Sequence, residues 1–118
     1  MQKIRKRLLK IIAILMVYIK KRASNDLARL IIKLMKYKEH PLTEEEANDY
    51  VNKIVSECYA ISNLPVRSLT VYTVHKKFGK YVYRYDKHSL IQWYIIYDFD
   101  KYGNILVKKI ISNNQTVK

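Results

Sequence analysis

A chain of 118 residues, 49% of them hydrophobic, holds one domain with one modest core and is too apolar for a disordered tail. Its 23 Lys+Arg against 10 Asp+Glu give a formal net charge of +13, a field that favours polyanions: nucleic acid, an acidic protein segment or an anionic lipid surface. The lone cysteine, Cys58, excludes an internal disulfide and fits a reducing, cytoplasmic setting.

Eight cations (Lys3, Arg5, Lys6, Arg7, Lys10, Lys20, Lys21 and Arg22) precede the first acid, Asp26. Residues 1–7 read as a basic leader, followed by the apolar run 11–19. Lys10 and Lys20 bracket only nine residues, against the roughly 20 needed to cross a bilayer. Lys20-Lys21-Arg22 follows where a signal peptide would need small residues. No spanning segment is therefore expected, and a membrane-surface helix stays an alternative. The run 11–19 suits a buried strand as well as a helix. Met16 is an alternative start, which makes residues 1–15 a basic, apolar extension ahead of a single domain over 16–118.

Ser24 or Asn25 caps a first helix in which Leu27, Leu30, Ile31, Leu34 and Met35 recur at helical spacing, with His40-Pro41 ending it. Thr43 and Glu46 form a T-x-x-E capping box for a second helix, and Glu44 and Glu45 suit its positive end. Tyr50, Val51, Ile54, Val55 and Cys58 make one apolar stripe on it, so Cys58 reads as a small buried hydrophobe. About four residues join the helices, which predicts an antiparallel hairpin. After Pro65 the period changes to two. Strands are expected at 69–75, 81–85, 90–99 (the central one) and 105–111, with turns at Gly79, at 86–89 and at Gly103, which supplies positive φ. The fold class is α+β: a helical hairpin packed on a four-stranded, mostly antiparallel sheet, with an extra N-terminal strand or helix.

Chemistry-bearing patterns are sparse. Asp98 and Asp100 flank a turn, where aspartate satisfies backbone donors. Three histidines and one cysteine lack metal-ligand spacing, and two glycines make no phosphate loop, so neither metal nor cofactor is expected. Trp93 reads as core. An imidazole can move protons near neutral pH, which makes His75 and His88 acid/base candidates, although a lone surface histidine is usually just that.

What remains is a basic, aromatic region. Lys76, Lys77, Lys80, Arg84, Lys87 and His88 are interleaved with Tyr81, Tyr83 and Tyr85, and Lys108 and Lys109 follow on the last strand. Cations hold phosphates and aromatics stack on bases, so these residues are candidates to grip single-stranded RNA. The competing account is a solvated edge plus core tyrosines. Strand alternation puts Tyr81, Tyr83 and Tyr85 on one face and Val82 and Arg84 on the other. It also sends either Lys108 or Lys109 to the core side or to an edge.

Residues 16–26 (MVYIKKRASND) followed by Leu27 resemble the start of RelE/ParE-superfamily toxins, where a first strand leads through a small-residue turn into the first helix of a hairpin. The second helix, with Ala47, its Tyr50/Ile54 stripe and Leu64-Pro65 at its end, is similar to the family's second helix. Trp93-Tyr94-Ile95-Ile96-Tyr97, a turn, and Gly103-Asn104-Ile105 through Ile110 resemble its central-strand hairpin. The likeness covers roughly residues 16–114.

This resemblance implies a cytoplasmic toxin of a toxin–antitoxin module, neutralised by an acidic antitoxin protein that wraps the hairpin and sheet. RelE-type members cut mRNA on the ribosome, whereas ParE-type members inhibit DNA gyrase without a catalytic group. A cutting enzyme would draw on Arg84 as phosphate clamp, Lys77 as transition-state cation, His88 as acid/base and Tyr85 as base-stacker. The chain departs from the cutting pattern at Tyr94, where the family often has arginine. It departs again at Ser112-Asn113-Asn114-Gln115, which lacks Arg, His and Tyr. The gyrase-type action and a basic, non-enzymatic nucleic-acid-binding accessory protein of a mobile element or phage therefore stay open.

Overall fold

A computed structural model describes residues 16–88 and 90–113, except the His88 side chain. The extension 1–15, the first part of the 11–19 run, Ser89 and Asn114-Gln115 lie outside the described residues, as does any membrane-surface helix there. The molecule is α+β. A five-stranded mixed sheet runs in the order β1 (Val17–Ile19), β5 (Ile105–Ser112), β4 (Ile91–Phe99), β3 (Tyr81–His88), β2 (Ser68–Leu69). Between β1 and β2 come helix α1 (Lys21–Met35), helix α2 (Glu44–Ala60) and a 3-10 turn (Ile61–Asn63); a short helix, α3 (Thr73–Lys76), precedes β3. Strand β1 pairs parallel with β5, and the other pairings are antiparallel. Among the described residues no helix is long and apolar enough to cross a membrane.

The capping box is present. The Glu46 N–H donates to Thr43 Oγ1 at 3.2 Å, and the Thr43 N–H donates to Glu46 Oε1 at 3.0 Å. Thr43→Ala removes one of these acceptors and should lower stability by about 1 kcal/mol in a urea melt. From this start Val51, Ile54 and Cys58 fall into the core, with Tyr50 and Val55 half-buried beside it. Burial pushes the Cys58 thiol up to about 12, which keeps it protonated and inert. Helix α1 adds Ala23 and Leu27, and the inward residues of β4 (Trp93, Ile95, Tyr97) and β5 (Ile105, Val107, Ile110) complete one core between hairpin and sheet. The Trp93 indole donates to the Tyr50 hydroxyl at 3.1 Å, so its polar edge is satisfied there.

Several boundaries differ from expectation. Helix α1 starts at Lys21 with Lys20 as its N-cap, not at Ser24 or Asn25. The Lys20 N–H still belongs to the sheet, donating to the Val107 carbonyl at 2.9 Å, so strand pairing decides where the helix begins. The helix stops at Met35, ahead of His40-Pro41, and residues 36–43 form the connection. The expected strand 69–75 reduces to two residues. Thr70 closes β2 by donating its N–H to the Lys80 carbonyl (2.9 Å) and its hydroxyl to the Gly79 carbonyl (3.0 Å). The chain then leaves the sheet and turns once as α3, because burying His75 beneath it outweighs the strand propensity of Val71, Tyr72 and Thr73. Strand β3 continues through the expected turn at 86–89, with a register shift between Asp86 and His88. The β4–β5 hairpin follows expectation: Gly103 has φ +86°, and Asp100 accepts from the Tyr102 and Asn104 N–H groups at 2.8 and 2.9 Å.

Candidate nucleic-acid interface

The sheet face away from the helices carries Tyr94, Ile96 and Asp98 from β4, and the segment 70–80 lies across it. Gly79 permits this approach, since a Cβ there would meet Ile96 Cγ2 at 2.9 Å and the Tyr97 carbonyl at 3.2 Å. The Lys80 N–H donates to Asp98 Oδ1 at 2.8 Å and fastens the end of the segment. His75 fastens its middle, with its ring buried 4.7 Å from the Tyr94 ring and 5.2 Å from the Tyr72 ring.

Burial lowers the His75 pKa below its usual 6.5, so the folded state holds the ring neutral. The unfolded chain then takes up this proton first as pH falls through 6.5, and the stability His75 contributes is present above that pH and lost below it. Denaturation midpoints should fall between pH 7 and 5, with a shallower fall in His75→Phe, which keeps an aromatic ring between the two tyrosines.

Held in this way, the segment displays cations. A cleft of about 580 Å³ is lined by Lys76, Lys77, Phe78, Lys80 and Lys108, with Asp98 at its wall. A second hollow of about 330 Å³ shares Phe78 and is lined by Lys21, Arg22, Arg29 and Lys109. Three cations crowd the Phe78 ring: Lys77 Nζ at 5.1 Å, Lys109 Nζ at 5.2 Å and the Arg22 guanidinium carbon at 5.3 Å from its centroid.

Both strand lysines reach this face because of a β-bulge. Ile96 pairs with Lys109 and Tyr97 pairs with Val107, so Lys108 is the extra residue and strict alternation is suspended. Of the two placements expected, core side or edge, the edge is found: Lys109 lies beyond Val107, the last residue of β5 that pairs with β1. Lys108 Nζ sits 3.3 Å from Asp98 Oδ2 in an open pair, worth about 1 kcal/mol at most. Lys109 Nζ sits 2.8 Å from Asp26 Oδ1 in a far more buried pair, with side chains 19% and 10% exposed. Among the described residues Arg22, Lys76, Lys77 and Lys80 form no ion pair, so the band keeps a positive field.

Of the residues expected to contact nucleic acid, Lys76, Lys77, Lys80, Lys108 and Lys109 are brought together. Arg84 lies on the same face but pairs with Asp86 at 3.1 Å, alongside Tyr94. Lys87 points to the helix side, 4.5 Å from the Tyr50 ring, where burial and the neighbouring Lys53 lower its pKa. Tyr81, Tyr83 and Tyr85 are half-buried against the helix-side core. The Tyr83 hydroxyl donates to Glu57 at 2.8 Å, and burial with that carboxylate pushes Tyr83 up to about 12.

The candidate catalytic set is therefore spread out. Lys77 stands on the covering segment, Arg84 on the outer face and Tyr85 on the inner face, while the His88 side chain lies outside the described residues. General acid–base work needs its groups within hydrogen-bond reach of one substrate atom, which Arg84 and Tyr85 on opposite faces do not offer. Sequence reasoning missed Arg22, Arg29 and Phe78. For the two arginines the signal was the spacing Arg22, Asp26, Arg29, which shares one face of α1, whereas Phe78 has no local signal. Among the described residues no group of three His, Cys, Asp or Glu is placed to hold a metal. The chain matches no family model, no curated protein and no solved structure.

Proposed function

We propose that this chain is a growth-arresting toxin of the RelE/ParE kind that acts in the cytoplasm on the ribosome and its mRNA or on DNA gyrase, and is neutralised by an acidic antitoxin. The observation that carries this is the element order: a first strand, a helical hairpin, then an antiparallel meander with β4 at its centre, as the resemblance implies. The band around Phe78 supports it, because an excess of unpaired cations on one sheet face suits RNA phosphates or acidic side chains.

Inducing the gene in bacteria and following incorporation of labelled amino acid and labelled thymidine tests this directly. Early loss of translation assigns the ribosome, and early loss of DNA synthesis assigns gyrase. Normal incorporation of both labels in growing cells overturns the toxin.

One observation favours a second reading, a basic nucleic-acid-binding accessory protein without catalysis: the candidate catalytic residues stand on both faces of the sheet. Such a protein binds naked nucleic acid tightly and with strong salt dependence. A toxin of this kind binds naked RNA weakly and its antitoxin tightly.

A further inference from the structure

Beyond Lys109 the band continues into a third hollow. It is a recess of about 160 Å³ between α1 and the sheet, floored by Trp93 and edged by Arg29, Lys33, Lys109, Asp26 and Ser112. Arg29 and Lys109 also line the hollow beside Phe78, so the two share a wall. Arg29 and Lys33 stand one turn apart on α1 and face the same side. Among the described residues the only carboxylate at the recess is Asp26, and it is engaged by Lys109 Nζ and by the Ile110 N–H. Arg29 and Lys33 form no ion pair among the described residues, so two positive charges face the recess uncompensated.

We propose that this recess is a binding site for a phosphomonoester group. The charge argues for a dianion over a single carboxylate: a phosphomonoester carries about −1.5 to −2 near neutrality, which matches two free cations. A guanidinium fork presents paired donors to phosphate oxygens, and an ammonium adds a point charge beside it. Size argues for the group alone, because a cavity of ~150 Å³ takes a benzene ring, and a nucleoside is considerably larger. The phosphate comes either from solution or from the end of a nucleic-acid strand lying along the band. The second source rests on the nucleic-acid grip proposed above, and the site itself does not.

Trp93 is the chain's single tryptophan, so its emission reports the floor of this recess. Titrating the full chain with inorganic phosphate should change that emission saturably. The apparent affinity should fall at least tenfold in Arg29→Gln/Lys33→Gln and hold in Lys76→Gln/Lys77→Gln. Arg29 and Lys33 are both exposed, so the double variant should keep its fold, which a far-UV spectrum checks. An oligonucleotide with a terminal phosphate should then bind about tenfold more tightly than the same strand ending in hydroxyls, and Arg29→Gln/Lys33→Gln should erase that difference. No saturable change with phosphate, or one indifferent to Arg29→Gln/Lys33→Gln, overturns the site. Saturable phosphate binding without preference for the phosphorylated strand supports the site and assigns it to free phosphate. Failure of the nucleic-acid grip would appear separately, as RNA binding unchanged by loss of Lys76, Lys77 and Lys80.

Discussion

On the accessory-protein reading, replacing Lys76, Lys77 and Lys80 together by glutamine should weaken binding to single-stranded RNA about a hundredfold near 0.1 M salt. On single strands each neutralised phosphate contributes about 0.7 to the slope of log affinity against log salt, so losing three contacts flattens that slope by about 2. Extrapolated from 1 M, where the counterion contribution vanishes, to 0.1 M, a slope change of about 2 is about two decades in affinity. Folding should be nearly untouched, because all three side chains are exposed and away from the core. Arg84→Gln provides the contrast. That side chain is engaged with Asp86, outside the cation-lined hollows, so its loss should change affinity only a few-fold. Fluorescence anisotropy over a series of KCl concentrations measures both terms. An unchanged slope in the triple variant would remove the band from nucleic-acid binding.

The parts legible in the sequence are those whose signals are local. The capping box at Thr43 and Glu46, the stripe Val51, Ile54 and Cys58, and the Gly103 turn each need only their own neighbours, and each stands where the spacing put it. Residues 69–75 depart from the expected strand because their alternation is a local strand signal, whereas the segment's actual place depends on a long-range fit. That fit needs a glycine at 79 to touch Ile96 and a histidine at 75 to fill the gap between Tyr72 and Tyr94. Neither requirement has a period.

The same holds for the candidate site. Its lysines were visible as a cluster, but the β-bulge that turns Lys108 and Lys109 to one face follows from the offset pairing of β4 with β5. The part played by Arg22 depends on Phe78, 56 positions further along the chain, arriving beside α1.

Asp26→Ala should cost about 3 kcal/mol. Strand β1 ends at Ile19, so beyond Val107 the outer edge of β5 has no strand to pair with. The first turns of α1 lie along that edge, and Asp26 serves in place of a neighbouring strand by accepting the Ile110 N–H at 3.1 Å. Its other oxygen holds Lys109 at 2.8 Å. Truncation thus strands a backbone donor and a largely desolvated ammonium together, and removing one partner of a buried pair typically costs about 3–5 kcal/mol. The lower end applies because Lys109 keeps 19% of its side-chain surface. Lys109→Met should cost less, since Asp26 retains the Ile110 N–H. The double variant Asp26→Ala/Lys109→Met should be more stable than the sum of its parts, by about 1–2 kcal/mol in a double-mutant cycle. Urea denaturation of the four proteins decides the matter. A loss below about 1 kcal/mol for Asp26→Ala would make the pair no stronger than an exposed one. If the larger loss is found, the contact that closes the edge of β5 is also the one that holds Lys109 beside Phe78, tying the shape of the basic band to the stability of the sheet beneath it.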